Sequence, residues 1–253
     1  MKLYNIVFSP TGGTQKVSAL LTNTLKGEVT PIALTDSKQD FRTVQLTPDD
    51  VAVISVPSFG GRVPAVAIDR LGSITGHGAR AILVCVYGNR AYEDTLVELE
   101  DAAKQAGFQV IAAVAAIAEH SIARQFAANR PDTQDAQQLS AFAKQIQDKL
   151  SSGNTAEPSI PGNRPYKKSG GAGMVPKPTK ECTKCGVCVH ECPVQAINPE
   201  NPKKVDEKVC ISCMRCISVC PHAARRVNPV MLSAVGLALK KVCSDRKENE
   251  LFI

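Results

Sequence analysis

Eight of the ten cysteines fall between Cys182 and Cys220, and their spacing carries chemistry. The stretch reads C-T-K-C-G-V-C-V-H-E-C-P and then C-I-S-C-M-R-C-I-S-V-C-P, so C-x2-C-x2-C-x3-C-P occurs twice, each cysteine recurring 28 positions later. A duplicated run of this kind is the signature of a segment holding two [4Fe–4S] clusters, in which the fourth cysteine of each run ligates the other cluster. Three thiolates on a short arc take three irons, which leaves the fourth iron facing away. The longer gap and the proline turn the chain, and the last thiolate then points at the neighbouring cluster. The expected sets are Cys182, Cys185 and Cys188 with Cys220, and Cys210, Cys213 and Cys216 with Cys192. Crossed ligands tie together a segment too short to be held by an apolar core alone.

Two other chemistries use cysteine at this density. A disulfide framework requires an oxidising compartment, and nothing in the chain suggests export. Structural zinc takes separated pairs rather than triplets each followed by Cys-Pro. The segment from 179 to 228 resembles bacterial-type two-cluster ferredoxins.

Three polar, glycine-bearing loops lie upstream: Ser9–Thr14, Ser58–Arg62 and Gly88–Tyr92. Each follows an apolar run, at 2–8, 51–57 and 80–87, and weaker or later runs at 28–34 and 108–117 complete a set of five strands. Helical spacing follows at Val17, Leu20, Leu21, Thr24 and Leu25, from near Pro64, from 93 to 106 with Gly107 as a stop, and from 134 to 151. Alternation of nearly continuous apolar strands with helices predicts an α/β fold with a parallel sheet covered on both faces. In the doubly wound, flavodoxin-like order 2-1-3-4-5 the three loops converge on one crevice, where this fold seats FMN. The first loop would cradle a phosphate with its hydroxyls, its backbone N–H groups and the following helix N-terminus. It lacks G-x-x-x-x-G-K-[ST], which excludes a nucleotide-hydrolysing loop, and a phosphate loop without a flavin is the competing reading.

S-P-T-G-G-T resembles the flavodoxin phosphate loop S-x-T-G-N-T, with Gly13 where that family often has Asn. The resemblance covers 1 to 150 and implies an FMN site. It places Ser9, Thr11, Gly12, Gly13 and Thr14 on the phosphate and Ser58, Phe59, Gly60 and Gly61 on one face of the ring. Tyr87, Gly88, Asn89 and Tyr92 then lie on its other face. The whole chain is similar to a fused family of flavodoxin-like and 4Fe–4S proteins found in anaerobes. The expected domains are a flavodoxin-like, FMN-binding domain at 1–151, a Gly-, Pro-, Ser- and Lys-rich flexible linker at 152–178, and a small α+β dicluster domain at 179–228. A helix and tail at 229–253 close the chain, the helix spanning 230–243.

Charge divides between the halves, with 14 Lys and Arg against 15 Asp and Glu in residues 1–150 and 16 against 9 in residues 151–253. Two oxidised clusters with their thiolates bring about −2 each. The basic half is therefore expected to balance its cofactors and meet an acidic redox partner rather than nucleic acid. The opening M-K-L-Y-N-I-V-F-S-P is too polar for a signal peptide, and no stretch approaches the ~20 apolar residues of a membrane span. A soluble cytoplasmic protein is the expectation. Cys85 reads as a small core residue and His120 as a satisfied loop histidine that could instead approach the flavin edge.

No acid–base pair or nucleophile stands out. The leading expectation is an electron-transfer protein passing single electrons between the clusters and FMN, and on to a redox partner. The alternatives are a cluster-fed flavin reductase of a quinone or small molecule, and a cofactor-carrying subunit of a larger oxidoreductase.

Overall fold

The computed structural model describes residues 2–170 and 173–253. Five strands alternate with four helices through the first part: β1 (Lys2–Val7), α1 (Gly13–Thr22), β2 (Glu28–Ala33), β3 (Val51–Pro57), α2 (Ala65–Leu71), β4 (Arg80–Tyr87), α3 (Thr95–Gln105), β5 (Gln109–Ile117) and α4 (Thr133–Ser151). The central strands β3, β4 and β5 are buried almost end to end, which is why they read as unbroken apolar runs. Parallel pairing gives the order 2-1-3-4-5. Ala67 and Leu71 of α2 and Leu96, Leu99 and Ala103 of α3 fill one face. Val17 and Leu21 of α1 and Leu139, Ala143 and Ile146 of α4 fill the other. This is the doubly wound, flavodoxin-like arrangement, and it brings the loops after β1, β3 and β4 to one end of the sheet.

The rest of the chain comprises β6 (Lys177–Pro178), α5 (Val187–His190), α6 (Arg215–Ser218), β7 (Arg225–Arg226), α7 (Pro229–Cys243) and β8 (Glu250–Phe252). β8 pairs antiparallel with β5, so the sheet has six strands where the sequence predicts five. Three residues behind the polar run R-K-E-N-E offer no period to read. The strand is held instead by side chains upstream of it. Ile117 N–H donates to Asn249 Oδ1 at 3.0 Å, and Arg130 Nη1 donates to the Lys247 carbonyl at 2.8 Å. β8 also covers the β5 edge that an open sheet would expose.

Residues 152–170 behave as a strap rather than a flexible tether. Asn163 and Lys167 donate backbone N–H groups to Asp94 at 2.9 and 2.7 Å, Arg164 pairs with Glu100 and Asp101, and Lys167 pairs with Glu93. Arg62 lies 4.8 Å from the Tyr166 ring centroid. The stretch is rich in Gly and Pro because it has no secondary structure, and its order comes from charges that local composition does not reveal. Gly171 and Ala172, in the same stretch, lie outside the described residues.

One glycine under the strap is decisive. Gly61 has φ +86°, and a Cβ there would stand 1.8 Å from Glu93 Oε2 and 2.9 Å from Glu93 Cβ. Gly61→Ala therefore costs about 1–3 kcal/mol through left-handed strain and overpacking. It also displaces Glu93 from Lys167. Trypsin should then cut faster after Lys167 and Lys168, and unchanged cleavage would show that the strap does not depend on this contact.

Candidate metal centre and the neighbouring crevice

The two cysteine runs fold alike. Gly186 (φ +81°) precedes α5 and Met214 (φ +62°) precedes α6, and Lys184 and Ser212 (φ +60° and +53°) share the same backbone turn. Gln195 and Ala223 repeat it after the Cys-Pro (φ +52° and +48°). Left-handed backbone at a non-glycine residue is unusual, so its recurrence at the 28-residue interval points to a demanding local shape. The shape aims donors at sulfur: Ala196 N–H donates to Cys192 Sγ and Ala224 N–H to Cys220 Sγ, both at 3.3 Å.

The eight cysteines line two separate cavities. One is lined by Cys182, Cys185, Cys188 and Cys220, with Pro202, Pro221 and Ala224. The other is lined by Cys192, Cys210, Cys213 and Cys216, with Pro193, Ala196, Ile197, Val205 and Ile211. Among the described residues no three ligand-type side chains crowd closely enough to hold a single ion. A four-iron cluster spreads its thiolates over four metals, so the wider setting suits it. Burial pushes the Cys213 thiol up to about 11 and the Cys216 thiol up to about 12, which makes a bare thiolate costly there until a metal replaces the proton.

Arg225 is the residue the motif does not announce. It is 2% exposed and lines both cysteine cavities. Its Nη1 and Nη2 donate to the carbonyls of Pro176 and Pro202, while Nε has no partner among the described residues. A buried cation with an orphaned donor is costly alone, and negative clusters held in the two cavities would offset that cost. The cavities, the sulfur-directed amides and this guanidinium all fit two [4Fe–4S] clusters. The one sequence cue was the H-A-A-R-R that follows the last Cys-Pro.

The module sits on the end of the sheet where the three loops converge. Arg215 Nη1 donates to the Pro10 carbonyl at 3.2 Å and pairs with Glu191, and Arg70 Nη2 donates to the Pro193 carbonyl at 2.5 Å. The crevice below is lined by Thr11, Gly13, Thr14, Ser58, Phe59, Tyr87 and Gly88, and Cys213 of the module also lines it.

These residues include the phosphate side of the expected FMN site and four of its ring-facing residues, Ser58, Phe59, Tyr87 and Gly88. Gly12 has φ +92° with no atom within 4 Å of a Cβ placed on it, and the N–H groups of Gly13 and Thr14 have no acceptor among the described residues. Ser9 Oγ accepts the Gln15 N–H at 2.9 Å, which caps α1 and leaves its O–H to donate. Two other expected ring-facing residues, Asn89 and Tyr92, are engaged elsewhere. Asn89 Nδ2 donates to the carbonyls of Cys243 and Asp245, both at 2.8 Å, and Tyr92 Oη donates to Glu250 at 3.1 Å. Tyr87 packs edge-on to Tyr92, 5.3 Å between centroids, in a cluster with Phe252. Gly60 lies under the Gly170 carbonyl and Gly61 under Glu93. Strap and tail thus hold both ring-flanking loops, a constraint set by residues far from the loops in sequence.

His120 sits over Gly88, and its Nδ1 accepts the N–H groups of Ile122 and Ala123 at 3.2 and 3.1 Å. Burial lowers its pKa, so the ring is neutral with its proton on Nε2. Cys85 is fully buried in the core. α7 packs Val235, Leu239 and Cys243 on Ala123 and Phe126, and leaves Val230 and Leu237 exposed. No helix among the described residues is long and apolar enough to cross a membrane.

A 4Fe–4S dicluster domain model matches residues 181–225. Ferredoxin-2 of Chlorobaculum tepidum is 40% identical over 55 residues, 19% of this chain and 89% of that protein. A tetrathionate reductase subunit of Archaeoglobus fulgidus is 40% identical over 67 residues, 26% of this chain, and the match spans about a third (32%) of its length. A flavodoxin from the domain Archaea overlaps 60% of this chain and 99% of its own at 14% identity and a TM-score of 0.42. It is the strand order, not that overlap, that makes the first domain flavodoxin-like. Through residues 181–225 the chain belongs to the two-cluster 4Fe–4S ferredoxin family, its cysteine runs carried behind a flavodoxin-like domain.

Proposed function

We propose that the protein is an electron carrier whose two [4Fe–4S] clusters are held by Cys182, Cys185, Cys188 and Cys220 and by Cys210, Cys213, Cys216 and Cys192. When bound, the clusters supply one-electron redox chemistry. The observation that supports this most is the division of the eight thiols between two four-cysteine cavities. Prolines and aliphatic side chains line the cavity of Cys192, Cys210, Cys213 and Cys216, whereas Cys185 leaves the other set partly exposed. The Ala196 and Ala224 amides stabilise negative charge on sulfur, and Arg225 places a permanent positive charge between the two sets. Cys213 lines both its own cavity and the crevice at the strand ends, so its sulfur faces a ligand seated in that crevice. Protein purified without oxygen should contain about eight irons and eight acid-labile sulfides per chain and accept about two electrons. Iron-free protein of unchanged fold would end this reading.

A relay onto FMN is the second reading, favoured by the open phosphate cradle at Gly12, Gly13 and Thr14. With Asn89 and Tyr92 held by the tail, the ring contacts it draws on are Ser58, Phe59, Tyr87 and Gly88, which line the same crevice. Stoichiometric FMN released on denaturation would support it, and cluster-replete protein without flavin would remove it.

A further inference from the structure

The two cysteine runs share one backbone shape but not one degree of exposure. Lys184 and Ser212 hold equivalent left-handed positions, 28 residues apart. Around the first, Thr183, Lys184 and Cys185 are all exposed. Around the second, Ile211 is half-buried and Ser212 and Cys213 are buried. The first domain makes the difference. Cys213 lines the crevice at the strand ends, and Arg215 of the same run donates to the Pro10 carbonyl at 3.2 Å. Cys185 does not line that crevice and faces the other way, to solvent.

The charge around the exposed set is lopsided. The cavity of Cys182, Cys185, Cys188 and Cys220 has Lys184, His222 and the buried Arg225 on its lining, and no carboxylate. Lys180 stands two residues before Cys182, and Lys203 and Lys204 follow Pro202, which also lines the cavity. Lys180, Lys184, Lys203 and Lys204 are exposed, and none forms an ion pair among the described residues, whereas nearby Lys177 pairs with Glu207. Between residues 180 and 204 the carboxylates are Glu191, which pairs with Arg215, and Glu181 and Glu200. Arg225 meets the charge of this set from inside, which leaves the four lysines to face solvent. No large apolar side chain on the lining is exposed.

We propose that the exposed edge at Cys185 is the port through which the chain exchanges single electrons with an acidic partner protein, while the set containing Cys213 serves the crevice. The proposal rests on the electron-carrier reading and gives it a direction in space, from the crevice through the Cys213 set and the Cys185 set to the partner. One electron passes between the Cys185 set and a one-electron centre of the partner, with no bond made or broken and no proton moved. The lysine rim steers an acidic face towards Cys185 and fixes its orientation. A small polar contact suffices, because electron-transfer encounters bury less than about 1,200 Å². A lipid surface fits less well, since it would draw on exposed apolar side chains that this lining does not have.

The test uses the full chain with its clusters loaded and reduced. Two one-electron oxidants of opposite charge serve as probes, the tris(oxalato)cobaltate(III) trianion and the hexaamminecobalt(III) trication. At about 0.1 M ionic strength exposed charges act over about 10 Å, so the probes sense the local rim rather than the net charge. Lys180→Glu combined with Lys184→Glu should slow oxidation by the trianion about tenfold and speed oxidation by the trication. Lys240→Glu with Lys241→Glu, at the exposed end of α7, changes the net charge equally and should leave both rates within about twofold. The redox-inert hexacyanochromate(III) trianion should broaden the hyperfine-shifted proton signals of Cys185 and leave those of Cys213 sharp, and the Lys180→Glu, Lys184→Glu change should abolish that contrast. Equal rates in the two double variants, or equal broadening at Cys185 and Cys213, would overturn the proposal. So would binding to phosphatidylglycerol vesicles that the Lys180→Glu, Lys184→Glu change removes, because the rim would then serve a lipid surface. Iron content and the number of electrons taken up, measured on the same samples, report separately on the electron-carrier reading.

Discussion

Cys192→Ala should remove about four of eight irons, and they should be the irons of the other run. Cys192 follows Cys188 by four residues, yet lines the cavity of Cys210, Cys213 and Cys216. Crossed ligation makes a pairwise forecast. Cys192→Ala combined with Cys213→Ala still strikes one cluster and should keep about four irons per chain, whereas Cys192→Ala with Cys185→Ala strikes both and should keep almost none. Ligation within each run reverses the two results. Iron and sulfide analysis decides it, with electron paramagnetic resonance of the reduced protein counting the clusters left. Cys220→Ala should mirror Cys192→Ala, since both sulfurs accept an amide at 3.3 Å four residues on.

The cluster centre was legible in the sequence because its chemistry sets the spacing. Thiolate geometry permits few arrangements, and the duplicated register repeats the one used. The five-stranded order was legible for a related reason: strands buried on both faces leave unbroken apolar runs, and the observed limits of β1, β3, β4 and β5 lie within a residue or so of those runs. Three features were not legible. Arg225 stands 28 positions after Ile197, so the repeat itself predicts an apolar residue there. The strap at 152–170 is ordered by ion pairs to α3, and charge pairing between distant segments leaves no periodic mark. β8 is three residues long. The crevice suffers from the same blindness. Its phosphate loop is local and was read from S-P-T-G-G-T, but the placement of Asn89 and Tyr92 depends on a tail more than 150 positions away.

That tail is anchored on one buried ion pair, and breaking the pair should be the most destabilising single change in the first domain. Asp135 is fully buried at the start of α4, and Arg130 is 7% exposed. Arg130 Nε donates to Asp135 Oδ2 at 2.8 Å, with Nη2 on the other oxygen; the Asp132 N–H and Asn249 Nδ2 add donors at 2.9 and 3.0 Å. Burial raises the Asp135 pKa, and these donors more than reverse it, so the carboxyl titrates below its ordinary range. Its contribution to stability is therefore present at neutral pH and is lost as pH falls below the ordinary carboxylate range, through the folded-state value. Asp135→Asn leaves the Arg130 charge buried without a counter-ion and should cost about 3–5 kcal/mol. The same change unseats Asn249, and with it β8 and the carbonyls that hold Asn89. Amide exchange at Leu251 and Phe252 should accelerate along with the loss in urea stability. Replacing both members of the pair, Arg130→Met with Asp135→Leu, should recover most of the stability, because no charge is left stranded, but not the β8 protection, because Asn249 and the Lys247 carbonyl still lack their partners. A cost under about 1 kcal/mol for Asp135→Asn, with β8 exchange unchanged, would mean that the tail is held by its strand pairing alone.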